Sequence, residues 1–318
     1  MPTARVKFIC PRHLVELDRS ESSLKCERGC NFRITKGIPR FTDEQYSSAF
    51  GFQWKRFART QLDSFSGTSS SKNRVIQACG DELWEKLSES TILEVGAGAG
   101  RFTEVLLATG ATVYSADLSS AVEVNAESFP ITGKHSVIQA DVANLPFVPE
   151  SFDVVFCLGV IQHTPNPEET IERLAEQVEP GGWLLIDHYD KSISWKFRTA
   201  PFARTILKRL KPETAFKLTE TIFDVAKPFF RVSKNRIYRK FLNIVFPIVY
   251  FENEIPELKA VLKDEWGVLD TFDSLTDWHK HRRSPKEIEL SLRNAGLVEI
   301  VCFKGGNGVV ARARKPIH

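Results

Sequence analysis

Cysteine is scarce in this chain, six residues in 318. That is too few for a disulfide scaffold, so paired cysteines are read first as metal ligands. Long apolar runs are missing as well. The longest without a charge is Phe241–Phe251, 11 residues, where a membrane-spanning helix needs roughly 20. No such stretch follows Met1-Pro2-Thr3-Ala4-Arg5, so a secretory signal is not expected and a reducing, cytoplasmic setting is. Neither charge sign dominates: 43 Lys+Arg stand against 40 Asp+Glu. With 42% hydrophobic and 26% charged residues, disorder, collagen and coiled coil are excluded as global descriptions. No internal repeat is found. At about 150 residues per domain, one large domain with one or two small additions is expected.

The even charge balance hides one local excess. Lys191–Pro247 holds 14 basic and 3 acidic residues, so the remainder is net acidic and only this stretch asks for an acidic partner. Four zones follow from composition and pattern: 1–45, rich in cysteine; 46–75, a lid or linker; 76–190 with 284–318, a core; and the basic, mostly helical 191–283. In the core, short apolar runs at Thr91–Val95, Thr112–Ala116, Ser136–Ala140, Phe152–Leu158 and Gly182–His188 alternate with helical patterns such as Arg101–Thr109 and Pro167–Val178. Strand, helix, strand at this pitch predicts an α/β fold, a parallel sheet with helices on both faces. Leu297–Phe303 and Gly308–Arg312, parted by Lys304-Gly305-Gly306-Asn307, predict an antiparallel hairpin. The Ser/Gly run Ser64–Ser71 reads as a mobile linker.

The first apolar run leads into Glu94-Val-Gly-Ala-Gly-Ala-Gly100. Gly96, Gly98 and Gly100 permit a tight turn and close approach of backbone to a ligand, and the helix that follows presents free N–H groups. Alone, this pattern suits nicotinamide dinucleotides, flavins or S-adenosylmethionine. Three acids narrow the choice. Glu94, ahead of the glycines, is placed to accept from an ammonium group. Asp117 closes the second strand and suits two ribose hydroxyls, though it also suits a helix N-cap. Asp141 closes the third and can accept from an adenine amino group. All three fall at carboxyl ends of parallel strands, where ligands sit.

These residues, with Ala140-Asp141-Val142, Phe152-Asp153-Val-Val-Phe-Cys-Leu158 and Glu179-Pro-Gly-Gly182, resemble the class I S-adenosylmethionine-dependent methyltransferases of the ubiquinone/menaquinone-biosynthesis-like branch. The resemblance covers about 91–190 and the terminal hairpin. It implies a seven-stranded Rossmann-like sheet edged by that hairpin, and donor contacts from Glu94, Gly96, Ala97, Gly98, Gly100, Asp117, Leu118, Asp141, Val142 and Leu158. It further implies transfer of a sulfonium methyl by in-line displacement, which asks the protein for alignment and, with poor nucleophiles, a base.

His163 follows the fourth strand, where that methyl would point, and reads either as the base or as an orienting group for the loop before Pro165. His188 and Tyr189 are expected on the same rim. Cys157, inside an apolar strand, reads as core. The Asn/Asp-Pro-Pro-aromatic tetrapeptide of nucleic-acid N-methyltransferases is absent, which lowers DNA base methylation.

Cys10-Pro-Arg-His13 and Cys26-Glu-Arg-Gly-Cys30 offer three thiolates and an imidazole, a closed set suited to structural zinc; unmetallated thiols are the alternative. With Ile34–Phe41 this segment resembles the zinc ribbons, related to a small methyltransferase-partner family, that precede some methyltransferases. Those ribbons usually carry Cys at the position of His13 and often C-x2-C in the second pair. Phe50–Phe57 and Thr60–Ser64 resemble the leading segment of bacterial methyltransferases acting on glycans, lipids or secondary metabolites, which implies a lid over the donor; ordinary packing of Phe52, Trp54 and Phe57 is the plain alternative. In 191–247 the bases mix with Trp195, Phe197, Phe202, Phe216, Phe223, Phe229 and Phe230. A solvated basic face over an aromatic core, an anionic membrane surface with the chain peripheral to it, and an RNA face are the open readings, nucleic acid the least favoured. Leu269–Asp273 and Asp277–His281 read as a cap on the acceptor pocket or as loop-stabilising hydrogen bonds.

The leading expectation is therefore a methyltransferase acting on a hydroxyl, amine or carbon of a small molecule, glycan or lipid-linked acceptor. An rRNA base methyltransferase with a zinc ribbon, and a non-catalytic cofactor-binding partner, are the alternatives.

Overall fold

The structure, a computed structural model, describes residues 6–42, 48–191, 199–233, 235–251, 255 and 257–317. Trp195 and Phe197 lie outside the described residues. Four short strands come first: β1 (Leu17–Arg19), β2 (Ser23–Cys26), β3 (Asn31–Thr35) and β4 (Ile38–Pro39), paired antiparallel in that order. Their core of Cys10, Leu24, Cys26 and Phe32 is too small to hold a sheet unaided. The ribbon is docked instead. Phe8 stacks on Phe147 at 5.4 Å, the Ile9 amide donates to Pro146 O at 3.0 Å, and Ile38 is buried against Val122 and Val137.

Helices α1 (Ser48–Arg56), α2 (Asp63–Ser66) and α3 (Ser70–Lys86) follow. The expected linker Ser64–Ser71 is thus mostly helical, a correction with a local cause. The Asp63 carboxylate accepts from the Ser71 and Lys72 amides at 3.0 and 2.8 Å, and the Ser71 hydroxyl donates to Gln61 O. Small polar side chains here satisfy the orphan amides of a helix start rather than solvate a linker.

The alternating zone folds as read: β5 (Thr91–Val95), α4 (Arg101–Ala108), β6 (Thr112–Asp117), α5 (Ala121–Ser128), β7 (His135–Gln139), β8 (Phe152–Cys157), α6 (Pro167–Gln177) and β9 (Val178–Tyr189). Helices α7 (Ala200–Leu207), α8 (Pro212–Val232), α9 (Arg236–Val245) and α10 (Ala260–Thr276) intervene before α11 (Pro285–Asn294), β10 (Val298–Gly305) and β11 (Gly308–Arg314). The seven strands lie in the order β10-β11-β9-β8-β5-β6-β7, with β5 to β9 parallel and the hairpin antiparallel at one edge. Every residue of β5 is buried, as expected of a parallel strand covered on both faces.

Strand β9 starts at Val178 rather than Gly182 because Val178 already pairs with Phe152 of β8, and further on the Gly181 amide donates to Lys315 O and the Lys315 amide to Gly182 O. Lys304 and Gly305 continue β10, so the hairpin turns on Gly306-Asn307 alone, with Gly305 opposite Gly308. Such a two-residue turn needs positive φ, and Gly306 has +52°. Among the described residues, no helix is long and apolar enough to cross a membrane. Helices α7 to α10 build cores of their own around Phe216, Phe272, Phe223 and Phe230.

Candidate active site

Strand β5 delivers the chain into the glycine loop. Gly96, Gly98 and Gly100 have φ of +75°, +52° and +100°, a region L side chains avoid. A Cβ on Gly96 would stand 2.1 Å from Val160 Cγ2, and one on Gly100 2.5 Å from Phe129 Cε2. Asp117, at the end of β6, braces this loop: Oδ2 accepts from the Gly98 amide at 2.8 Å, and Oδ1 from the Ser119 amide and hydroxyl at 2.8 and 2.7 Å. Asp141 accepts from the Ala143 amide at 3.0 Å. The loop opens on a cavity of about 450 Å³ whose lining includes Gly96, Ala97, Gly98, Asp117, Leu118, Asp141, Val142, Leu158 and His163. Gly100 lies behind it, as the first turn of α4.

Glu94 does not reach that cavity. Side-chain direction alternates along a strand, and Glu94 points under α4, where it accepts from the hydroxyls of Thr103 at 2.5 Å and Ser115 at 2.9 Å. Its Oε1 has no hydrogen-bond partner among the described residues, and burial pushes the carboxyl up to about 7. The expectation that Glu94 meets a ligand's ammonium group is corrected accordingly.

Two arginines that the sequence reading passed over line the cavity beside the glycines. Arg74, from α3, donates to Asp187 Oδ2 at 2.6 Å, and Asp187 Oδ1 accepts from the Gly159 amide. Arg101 donates to Ser71 Oγ at 3.0 Å and Gln61 Oε1 at 3.3 Å. Burial, with the neighbouring Arg74 charge, lowers Arg101 to about 9. Two guanidiniums held together against solvent suit an anionic group such as a carboxylate. Arg101 directly follows the glycine loop, which was the available signal; Arg74 had none.

His163, also in the cavity lining, ends a single 3-10 turn, Ile161–His163. Its Nδ1 stands 3.0 Å from Asp277 Oδ2, and its Nε2 is 3.3 Å from Tyr189 Oη and 4.0 Å from Asp273 Oδ2. Asp277 is itself buried, with Arg204 Nε at 2.5 Å and Lys280 Nζ at 3.6 Å. Burial opposes a charged imidazole here, but the Asp277 carboxylate 3.0 Å away and the Asp273 charge outweigh it, so the His163 pKa is raised. Burial, reinforced by Asp273, also pushes Asp270 up to about 7.

The segment 269–281 divides. Leu269, Asp270, Asp273 and Lys280 line the cavity. Trp278 is exposed under Lys208, and His279 stacks on His281, so the indole and these imidazoles are not part of the wall. His188 is likewise corrected: Tyr189 faces the cavity, while His188 points to the other side of the sheet and is buried, which lowers it to about 4. Cys157 is buried core, as expected. Segment 48–57 divides. Phe50, Gln53 and Trp54 line the cavity over the glycine loop, whereas Phe52 and Phe57 pack on Phe216.

At the N-terminus the ligand atoms of Cys10, His13, Cys26 and Cys30 lie within 4.8 Å of one another. His13 Nδ1 is 3.7, 3.3 and 3.6 Å from the sulfurs of Cys10, Cys26 and Cys30. A zinc tetrahedron with bonds of about 2.0 and 2.3 Å has N–S edges of about 3.5 Å. The donor set fits that ion in both chemistry and size.

Residues 93–186 match the family model described as a methyltransferase domain. This segment is similar to a methyltransferase domain. The matched segment runs from β5 to within β9 and carries the glycine loop, Asp117, Asp141 and His163. Ubiquinone biosynthesis O-methyltransferase of Nitrosomonas europaea is 30% identical over 115 residues, 35% of this chain and 49% of that protein. The same enzyme of Thiobacillus denitrificans is 30% identical over 128 residues, 39% and 55%. The chain thus spans about half the length of the curated relatives it matches. Among solved structures, a SAM-dependent methyltransferase from Thermotoga maritima aligns with 85% of this chain and 98% of its own, at 15% identity and a TM-score of 0.45. Outside the matched segment lie Arg74 and the partners of His163, Asp273 and Asp277.

Proposed function

We propose that the chain is an S-adenosylmethionine-dependent methyltransferase that methylates a hydroxyl of a small molecule, with His163 as base. One observation carries this: a single cavity is lined by the glycine loop, Asp117, Asp141 and His163 together. In this reading Asp117 takes the ribose hydroxyls, Asp141 the adenine amino group, and Arg74 with Arg101 the carboxylate of the donor. S-adenosylmethionine, when bound, supplies an electrophilic sulfonium methyl. Asp277 holds the proton on Nδ1, which leaves Nε2 as the acceptor, and the Tyr189 phenol beside it fixes the ring. His163 then takes the hydroxyl proton as the oxygen becomes a nucleophile. O-methylation is also what the names of the two relatives state of those proteins. Methyl transfer from labelled donor to a panel of phenols and catechols tests the reading, and no transfer to any of them counts against it.

A base must be neutral to act, and the His163 pKa is raised. The rate is therefore expected to climb with pH along a limb centred above about 6.5, the ordinary histidine value. Asp277→Asn removes the main cause of the rise and should move that limb to lower pH. An unmoved limb would assign it to another group.

Zinc at Cys10, His13, Cys26 and Cys30 completes the proposal, as a structural ion that holds the ribbon. The ribbon grips the edge of the sheet next to the donor site: Arg40 donates to Gln139 Oε1 at 3.1 Å, the Phe41 amide to Gln139 O at 2.8 Å, and Gln139 Nε2 to Leu118 O at 3.0 Å. Purified protein should carry about one zinc per chain by mass spectrometry. Stripping it should lower the melting temperature by at least about 5 °C and weaken binding of the demethylated donor product.

A further inference from the structure

The outer surface of helices α7 to α9 is apolar where a solvated cap would be polar. Along α8, Leu218, Val225, Phe229 and Val232 are exposed on one stripe, and Val232 is 79% accessible. On α9, Ile237, Phe241, Ile244 and Val245 follow the i, i+4, i+7, i+8 spacing of one face; Ile237 is 78% accessible, whereas Leu242 turns inward. Phe202 of α7 is 74% accessible. The helices bring these residues onto a common face. Thr199, just before α7, donates its amide to Ile244 O at 3.0 Å and its hydroxyl to Val245 O at 2.8 Å, and Phe229 stacks on Phe246 at 5.5 Å. Single exposed apolar side chains are ordinary, but a surface of them shared by three helices marks a contact.

Charge says what the contact is with. Exposed Lys217 and Lys240 are next in the chain to Leu218 and Phe241, and Lys191–Pro247 has 14 basic against 3 acidic residues, of which Arg231 and Lys227 pair with Asp264, Arg204 with Asp277 and Lys191 with Glu287. We propose that this face docks on an anionic lipid surface, its apolar tips entering the acyl boundary while its cations meet headgroup phosphates. A second copy of the chain would set the same positive excess against itself. RNA would want stacking platforms; Phe202, Phe229 and Phe241 are aromatic, but the most exposed tips of α8 and α9, Val232 and Ile237, are aliphatic. The docking does not depend on methyl transfer, so each reading can fail without the other.

Flotation of the full chain with vesicles tests it. Phosphatidylcholine vesicles holding about 30% phosphatidylglycerol should carry the protein at low salt, more weakly at high salt, while phosphatidylcholine alone carries much less. The double variant Ile237→Asp, Phe241→Asp should lose at least about tenfold in vesicle affinity, with melting temperature and binding of the donor product unchanged. Failure to float with anionic vesicles at low salt overturns the proposal. So does a folded double variant that floats like the parent, or a parent that does not float and is a dimer which the variant breaks into monomers. Should the variant not fold, the lipid and salt dependence of the parent decides.

Discussion

His163→Ala should lower kcat about 10²- to 10⁴-fold, the usual contribution of a positioned general base, while affinity for S-adenosylhomocysteine stays within about twofold. The two readouts separate because of where the imidazole sits. It lines the cavity without a hydrogen bond to the glycine loop, Asp117 or Asp141, so its loss leaves the donor contacts in place. It is also not what holds its neighbourhood together: Arg204 Nε and Lys280 Nζ, at 2.5 and 3.6 Å from the Asp277 carboxylate, still compensate that buried charge when the ring is gone. A merely orienting histidine gives a different pattern, with product affinity and activity falling together as the loop before Pro165 shifts. Activity above about a tenth of the parent would end the case for a base. Steady-state kinetics with calorimetry on the same preparation makes the distinction.

Asp117→Ala should weaken binding of S-adenosylhomocysteine about 100-fold, roughly 2.7 kcal/mol. That equals one or two charge-assisted hydrogen bonds left unmade. The carboxylate also holds the Gly98 amide at 2.8 Å and the Ser119 amide and hydroxyl at 2.8 and 2.7 Å. The alanine variant therefore loses the ligand contact and the brace of the loop together. Asp117→Asn keeps an acceptor but loses the charge, and should fall between parent and Ala. Binding of the Ala variant within about threefold of the parent would show that Asp117 only caps the turn into α5.

What was legible in the sequence is what depends on neighbours in the chain. Short apolar runs bounded by glycine and acid put β5, β6 and β8 within a residue of where they lie, and the spacing of Cys10, His13, Cys26 and Cys30 foretold ligand atoms that converge. Direction was harder to read. Glu94 sits at the expected place in its strand, but Thr103 and Ser115 draw its carboxylate under α4. His188 and Tyr189 are adjacent, yet strand alternation sends one to each side of the sheet. Long-range partners left no local trace. Asp277 meets His163 from the C-terminal cap of α10, and Arg74 reaches Asp187 from α3. The outer faces of α8 and α9 show a further limit: an amphipathic pattern is the same whether its apolar side meets a core or lipid.

One titration bears most directly on the reading that Gly96, Gly98, Asp117 and Asp141 together receive a sulfonium donor. S-adenosylhomocysteine added to the purified full chain in a calorimeter should bind at about one site per chain with micromolar or tighter affinity, the range expected when several buried polar contacts form in one cavity. A flat thermogram with both this product and S-adenosylmethionine, from protein that melts cooperatively, would contradict it.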